Sequence, residues 1–201
     1  PIVFEAQYTA GGSFTDFDPD EVVRAEWGQF SFIQWDCDRA TMEMAGEHGA
    51  KKIHVIRLAQ TSGTKCSGAN APAHTDSVSG SWFEPSTTGQ GLALHVIAAD
   101  HGVVYFYGYD DMGRNLWLTG EWHDEWSFGD EMMVEMLRVS GGTFDLIDPE
   151  HVVRETWGTL QLRFDDCDSA WARLEGADGV QELDLVLLAG SLGLECNPPA
   201  D

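Results

Sequence analysis

The sequence predicts an all-β protein: an antiparallel up-and-down meander that forms an eight-stranded barrel or barrel-like sandwich, accompanied by a four-stranded half-unit. Three observations lead to this fold class. Apolar and polar residues alternate in short runs that are separated by Gly, Pro and Asp, the pattern of half-buried strands and their turns. No amphipathic helix of useful length is present. Finally, a long segment occurs twice.

The duplicated segment comprises residues 11–66 and 141–196, which align without a gap at an offset of 130 positions. Two cysteines, a Trp-Gly pair and an Asp-Pro pair all stay in register. The identical pairs include Gly11/Gly141, Gly12/Gly142, Phe14/Phe144, Asp18/Asp148, Pro19/Pro149, Val22/Val152, Arg24/Arg154, Trp27/Trp157, Gly28/Gly158, Asp36/Asp166, Cys37/Cys167, Asp38/Asp168 and Cys66/Cys196. Chance does not preserve such a register, so the segment is an internal duplication.

The first copy has the alternation of a meander. Phe30 and Phe32 alternate with polar neighbours, and so do Met42 and Met44. A loop or single turn is predicted at Asp18-Pro19, because proline fixes φ and disfavours helix before it. Strands are expected at residues 1–10, 24–36, 40–46 and 52–59.

Beyond the first copy, residues 67–79 are small and polar and predict a linker. Further strand-like runs follow at residues 81–84, 92–99, 103–110 and 115–122, and the second copy then repeats the pattern of the first. About eight strands from Trp82 onward can close into a barrel and remove their sheet edges. The expected domains are residues 1–66 as a half-repeat, 67–79 as a linker, 80–196 as a complete unit and 197–201 as a tail.

The four cysteines are predicted to pair within each copy. Cys37 and Cys66 are separated by 29 positions, as are Cys167 and Cys196. Metal ligation is the less favoured alternative, because the CxxC spacing of zinc sites is absent. Disulfides indicate an oxidising compartment. The protein is therefore expected to be secreted, extracellular or on a bacterial cell surface.

The net charge of the protein limits the classes of partner that it is expected to bind. Eleven basic and 34 acidic residues give a net charge of −23, which argues against nucleic acid and anionic membranes. The sequence contains no run of eighteen apolar residues, so membrane insertion is not expected. The start at Pro1, without a signal peptide, suggests a mature or excised portion of a secreted protein.

Two motifs resemble a family of mostly uncharacterised, secreted bacterial tandem-repeat proteins. The first is SGSWFEPSTTGQGLAL, a Trp-rich strand with a Gly-x-Gly turn; it is followed by the hairpin Tyr109, Asp110, Gly113, Arg114 and Trp117. The second runs from Ile147 to Val152 and from Trp157 to Cys167. Asn115 and Ile147 replace the proline and phenylalanine of the pattern. The resemblance covers residues 79–196 as one unit and 1–66 as half of another; it implies a secreted β module and supplies no catalytic residues.

Candidate binding residues are concentrated in the unduplicated segment. They are aromatic side chains that suit either a ligand surface or a barrel interior: Trp82, Tyr105, Tyr107, Trp117, Trp122 and Trp126, accompanied by Tyr109. Trp122-His123-Asp124-Glu125 gathers an imidazole and carboxylates at a strand end. Core packing is favoured over copper binding for the methionines Met42, Met44, Met132, Met133 and Met136. The sequence predicts no catalytic residues, no metal site and no cofactor.

The function expected from these features is a structural or adhesive role in the extracellular matrix or on the cell surface, not enzymatic activity. Self-association or contact with neighbouring repeats is expected. Head-to-tail assembly of this kind would produce a filament. The competing hypothesis is a lipocalin- or avidin-like barrel that binds a small molecule or glycan. A periplasmic metal-binding module is the third and weakest hypothesis, based on acidity alone.

Overall fold

In a computed structural model of the protein, residues 1–64, 66, 77–87, 89–144, 149–194 and 196–197 are described. Most of the predicted linker, residues 67–76, and tail residues 198–201 lie outside them. The strands are β1 (Ile2–Ala10), β2 (Val23–Gln34), β3 (Arg39–Gly46), β4 (Gly49–Ile56), β5 (Gly80–Phe83), β6 (Gly91–Ala98), β7 (His101–Tyr109), β8 (Asn115–Trp122), β9 (Met132–Ser140), β10 (Val153–Phe164), β11 (Ser169–Gly176) and β12 (Gly179–Gly190). Two single-turn 3₁₀ helices span Pro19–Glu21 and Pro149–His151. No helix in the described ranges is long and apolar enough to cross a membrane.

The strands form two sheets, and the predicted all-β class is confirmed. β5 to β12 close into an eight-stranded antiparallel barrel in the order β10-β11-β12-β5-β6-β7-β8-β9. β1 to β4 form a separate antiparallel sheet in sequence order. The open alternative, a sandwich, is not what the second unit adopts: β5 pairs with β12 and β8 pairs with β9, so the meander closes on itself.

The barrel interior is filled by side chains. Side chains of a strand point alternately to its two faces, so every second residue lies inside the barrel. Trp82 and Phe106 are fully buried there. The other large buried side chains of the strands include Leu92, Leu94, Val104, Leu116, Leu118, Val134, Met136, Leu160, Leu162, Phe164, Leu174, Leu183 and Leu185. Each such side chain stabilises the fold by about 1.5 to 3 kcal/mol when fully buried.

The sheet β1–β4 has the same architecture as β9–β12. In each copy a bulge interrupts the pairing of the first two strands at a tryptophan, between Ala6 and Gln7 in one and opposite Trp157 in the other. The ring of Trp27 lies on Gly46 and that of Trp157 on Gly176, so closely that a Cβ on either glycine would come within 3 Å of the indole. Because the two copies share the Trp-Gly pair, Trp27 and Trp157 are expected to be equally buried, and Trp157 is indeed buried. Trp27 is only half-buried.

Both predicted disulfides are present. Cys37 bonds to Cys66 and Cys167 to Cys196, with Cα atoms 5.5 and 5.7 Å apart. In each copy the bridge ties the turn after the second strand to the segment after the fourth. Two disulfides fit an extracellular or secreted protein.

Candidate functional site

The apolar side of the first sheet is a partly exposed surface, which we call the open face: Phe30, Phe32, Met42, Met44, Ile53 and Val55. These side chains lie together because the register places Phe30 opposite Met44 and Phe32 opposite Met42, with Ile53 beyond. Their counterparts in the barrel are at most 1% exposed: Leu160, Leu162, Ala172, Leu174, Leu183 and Leu185. In the open face, by contrast, the same positions are only partly buried.

β1 shows the difference most clearly. Ile2 and Phe4 are 67% and 48% exposed, whereas Met132 and Val134, at the same places in β9, are 6% and 1% exposed. The local packing is otherwise in place, since Phe4 stacks on Phe30 at 5.8 Å between ring centroids. What covers Met132 and Val134 is the half-barrel β5–β8, and β1–β4 has no such cover within the described residues.

The edges of the first sheet are also unpaired. β1 pairs with β2 and β4 pairs with β3, and neither has a second neighbour among the described strands. In the barrel the equivalent strands are closed by β8 and β5. An edge with free N–H and C=O groups beside exposed apolar side chains is a template for pairing with another chain.

The two copies are joined by exchanged loops. Phe14, in the loop between β1 and β2, enters one end of the barrel, where it is 1% exposed and packs edge-on against Trp157 at 5.3 Å. Phe144, from the equivalent loop of the second copy, packs edge-on against Trp27 at 5.6 Å. Lys51 donates a hydrogen bond to the carbonyl oxygen of Phe144 at 2.7 Å. Each loop therefore caps the tryptophan of the other copy.

The loops that carry Phe14 and Phe144 are covered to different extents by the rest of the protein. Gly12 lies against the buried ring of Tyr109, and a Cβ there would come within 2.3 Å of it. A Cβ on Gly142, at the equivalent position, would meet no described atom within 4 Å. Tyr109 belongs to the half-barrel β5–β8, and the described residues supply no counterpart of Tyr109 at Gly142.

Two grooves lie on the first sheet. One of about 400 Å³ is mainly on the side opposite the open face, where its lining includes Gln29, Ser31, Glu43 and Lys52. Another of about 260 Å³ lies beside the first disulfide and is lined by Phe32, Val55 and Cys37 among others.

The aromatic residues singled out in the sequence do not form one surface. Trp82 and Trp122 point into the barrel and are 0% and 3% exposed. Trp126 packs against the core, with its ring 5.1 Å from that of Phe164. Alternation along β7 and β8 places the remaining three on the outer face: Tyr105, Tyr107 and Trp117.

On that outer face Trp117 is 66% exposed, and its ring lies 6.4 Å from that of Tyr105. Tyr107 lies directly opposite Trp117 in the register. Burial raises the pKa of Tyr107, so its hydroxyl group stays protonated well into the alkaline range. The methionines are likewise divided: Met132 and Met136 lie inside the barrel, whereas Met133 is 56% exposed.

The barrel end that receives Phe14 carries a buried charge. Asp110 is 0% exposed and accepts hydrogen bonds from the backbone N–H groups of Met112 and Arg114 and from Nε of Arg114. Burial by itself would raise the pKa of Asp110, but these hydrogen bonds and the Arg114 charge hold it below the ordinary value of 3.8. The sequence predicts the Asp110–Gly113 turn correctly, and the carboxylate is what fixes it.

A cluster that the sequence prediction of no metal site did not anticipate lies at the opposite end of β7 and β8. His101, Glu121 and His123 place one ligand atom each within 4.8 Å of one another. The spacing of Glu121 and His123 at i and i+2 was visible in the sequence. Their proximity to His101 depends on the strand register, which the Asp110–Gly113 turn sets. Two imidazoles and a carboxylate are ligands that zinc and other transition metal ions use.

No family model, curated protein sequence or solved structure matches the chain. The resemblance to secreted repeat proteins thus rests on the sequence motifs alone.

Proposed function

We propose that this protein is a secreted, non-enzymatic structural module that assembles by completing half-barrels. Its open face accepts a four-stranded, Trp-rich meander of the β5–β8 type, supplied by a neighbouring repeat. The observation that carries this proposal is the contrast between Phe4, 48% exposed, and Val134, 1% exposed, at equivalent positions of the two sheets.

The barrel supplies the template for the docked state. β12 pairs with β5 through Val186 and Phe83, and β9 pairs with β8 through Met136 and Gly120. β1 corresponds to β9 and β4 to β12, and each runs in the same direction within its unit. The free edge of β1 can therefore accept a strand equivalent to β8, and that of β4 a strand equivalent to β5. Closure would bury the open face and leave no edge in that unit.

The number of half-barrels in the chain implies that the missing half is supplied from outside it. The described strands of each chain form two four-stranded units of the β9–β12 type but one half-barrel β5–β8 to complete them. Exchange of β5–β8 between identical chains leaves one sheet incomplete in each. Docking onto a different molecule is heterologous, and it continues as an open filament unless its rotation closes.

The test is to supply the missing half. A duplicate of residues 77–130 is placed directly before Pro1, which occupies the position of Glu131 in the alignment, so that the added strands reach β1 with the spacing seen in the barrel. We expect the extended chain to be a monomer whose β1 and β4 amides are protected from hydrogen exchange. The natural chain should show light-scattering masses above 22.1 kDa that rise with concentration.

The matched control is the same extension with Leu94→Asp and Leu118→Asp in the added copy, because both side chains point inward. It should restore neither monomeric behaviour nor protection. A natural chain that remains a 22.1 kDa monomer at micromolar concentration, combined with an extension that leaves β1 and β4 unprotected, would refute the proposal. A discrete dimer without larger species would instead indicate that two open faces dock on each other.

A second candidate function is binding of a glycan or another flat ligand on the outer face of the barrel. It is favoured by the exposure of Trp117 beside Tyr105, since exposed aromatic rings with polar groups suit sugar rings. Glycan-array binding that is lost in Trp117→Ala and kept in Trp35→Ala, an equally exposed tryptophan just after β2, would support it. Equal binding by both variants would exclude it.

A further inference from the structure

The β7–β8 hairpin brings two histidines together on the outside of the barrel. Its register pairs Val103 with Glu121 and Gly102 with Trp122. One step further, His101 lies opposite His123. Residues directly opposite on antiparallel strands have Cβ atoms about 4.5 to 5.5 Å apart, and Glu121 is on the same face two positions before His123.

The distances show a compact group. Glu121 Oε2 lies 3.5 Å from His101 Nε2 and 3.6 Å from His123 Nε2. The two imidazole rings are 4.5 Å apart and inclined by 24°. Bonds to zinc measure about 2.0 to 2.2 Å, which puts two ligands of a tetrahedral ion about 3.4 Å apart. Small side-chain rotations therefore suffice to direct all three atoms at one ion.

One atom of the group lacks a hydrogen bond. Nε2 of His101 is shielded from solvent, although the side chain is 31% exposed, and it makes no hydrogen bond to a described residue; Glu121 Oε2 lies at the limit of that distance, 3.5 Å away. Buried nitrogen atoms normally have a partner. His54 on β4 illustrates the ordinary situation, because its Nδ1 lies 3.0 Å from the hydroxyl of Thr41.

The group has a rigid base. The ring of Trp122 lies on Gly102, where a Cβ would come within 1.9 Å of the indole, and Trp122 is 3% exposed. Both residues adjoin ligands in sequence, so the backbone that carries His101, Glu121 and His123 is held by the barrel core. Strands position ligands more accurately than loops do.

We propose that His101, Glu121 and His123 form a surface site for a divalent transition metal ion, Zn²⁺ or Cu²⁺. Two imidazoles and one carboxylate favour these ions over Ca²⁺ and Mg²⁺, which prefer oxygen ligands. The net charge of −23 attracts cations. Bound metal links the start of β7 to the chain segment after β8, which leads to Trp126 and Phe128 against the core.

Titration calorimetry of the full chain with ZnCl₂ or CuCl₂, after removal of metal by a chelator, tests this site. We expect one ion per chain with micromolar affinity or tighter. His101→Ala and His123→Ala should each weaken it more than about tenfold, because loss of even an indirect partner of a metal ligand costs 10- to 100-fold. Glu121→Gln should also weaken it. His95→Ala is the matched control and should bind like the natural chain, since His95 is exposed on the adjacent strand β6.

Copper electron paramagnetic resonance provides an independent signature. The natural chain should show splitting from two imidazole nitrogens, and His123→Ala should show one. His123 is largely exposed, 68% by side chain, so this variant should fold normally if His101→Ala does not. Absence of binding tighter than millimolar, or binding by both histidine variants that equals that of the natural chain, overturns the proposal. In either case the three side chains are close neighbours that do not bind metal.

Discussion

Phe14 meets Trp157 edge-on at 5.3 Å, and Phe144 meets Trp27 in the same way at 5.6 Å. The first pair joins the loop of the first copy to the tryptophan of the second, and the other pair reverses the roles. The surroundings of these two contacts are unequal: Phe14 is 1% exposed, whereas Phe144 is only partly buried. The inequality can be measured.

Phe14→Ala should destabilise the protein by about 3 to 5 kcal/mol, because it empties a buried ring position at the barrel end. Phe144→Ala should cost only about 1 to 2 kcal/mol, since less of its apolar area is buried. Denaturant unfolding followed by tryptophan fluorescence gives both values. In the chain extended with residues 77–130, Phe144→Ala should approach the cost of Phe14→Ala. Equal costs in the natural chain would show that the two loops are equally covered.

Gly12→Ala and Gly142→Ala form a second matched pair. A methyl group on Gly12 would overlap the fully buried ring of Tyr109, and overpacking of this kind costs about 1 to 3 kcal/mol. Gly142→Ala should change the free energy of unfolding by less than about 1 kcal/mol in either direction. Thermal unfolding followed by circular dichroism measures both. A large loss at Gly142 would mean that its position is already covered.

The disulfides should be recovered as two separate peptides, Cys37 with Cys66 and Cys167 with Cys196, on mapping the unreduced protein. Replacing either pair by serine should cost about 3 to 4 kcal/mol, the loop-entropy value for a closed loop of about thirty residues. Loss of the Cys167–Cys196 bridge should destabilise the barrel, whereas loss of the other should loosen only the first sheet. Hydrogen exchange distinguishes the two. A peptide that joins Cys37 to Cys167 would contradict the pairing.

Acid should weaken the barrel end around Asp110. Its pKa is lower in the folded state than the ordinary 3.8, so its contribution to stability is complete above pH 3.8 and is lost as the pH falls through the folded pKa. Asp110→Asn should remove about 1.5 to 3 kcal/mol at neutral pH, the range for a hydrogen bond to a charged group. It should also flatten the acid dependence of stability below about pH 4.

The matched control for Asp110 is Asp111→Asn, because Asp111 is exposed beside it in the same turn. Denaturant unfolding at a series of pH values should give the natural acid dependence for this control. If Asp110→Asn followed the same curve as the control, the carboxylate would not stabilise the turn.

The sequence by itself was sufficient for the local structure. Alternation such as Phe30 and Phe32, or Leu160 and Leu162, predicts strands because side chains of a pleated strand point to opposite faces. The common spacing of Cys37–Cys66 and Cys167–Cys196 predicted both disulfides. Eight predicted strands from Trp82 onward led to the barrel, since a meander of that length removes its edges by closing.

Tertiary structure alone decided which side chains meet across strands and copies. The aromatic residues that looked alike in sequence are divided by strand parity, so that Trp82 is inside the barrel and Trp117 outside. His101 and His123 are 22 positions apart in sequence and approach each other because the turn at Asp110–Gly113 fixes the register of β7 against β8. The sequence also could not predict the loop exchange of Phe14 and Phe144, because both copies carry a phenylalanine and a tryptophan at these positions. The alternation of residues specifies which face a side chain occupies, but not which copy packs against it.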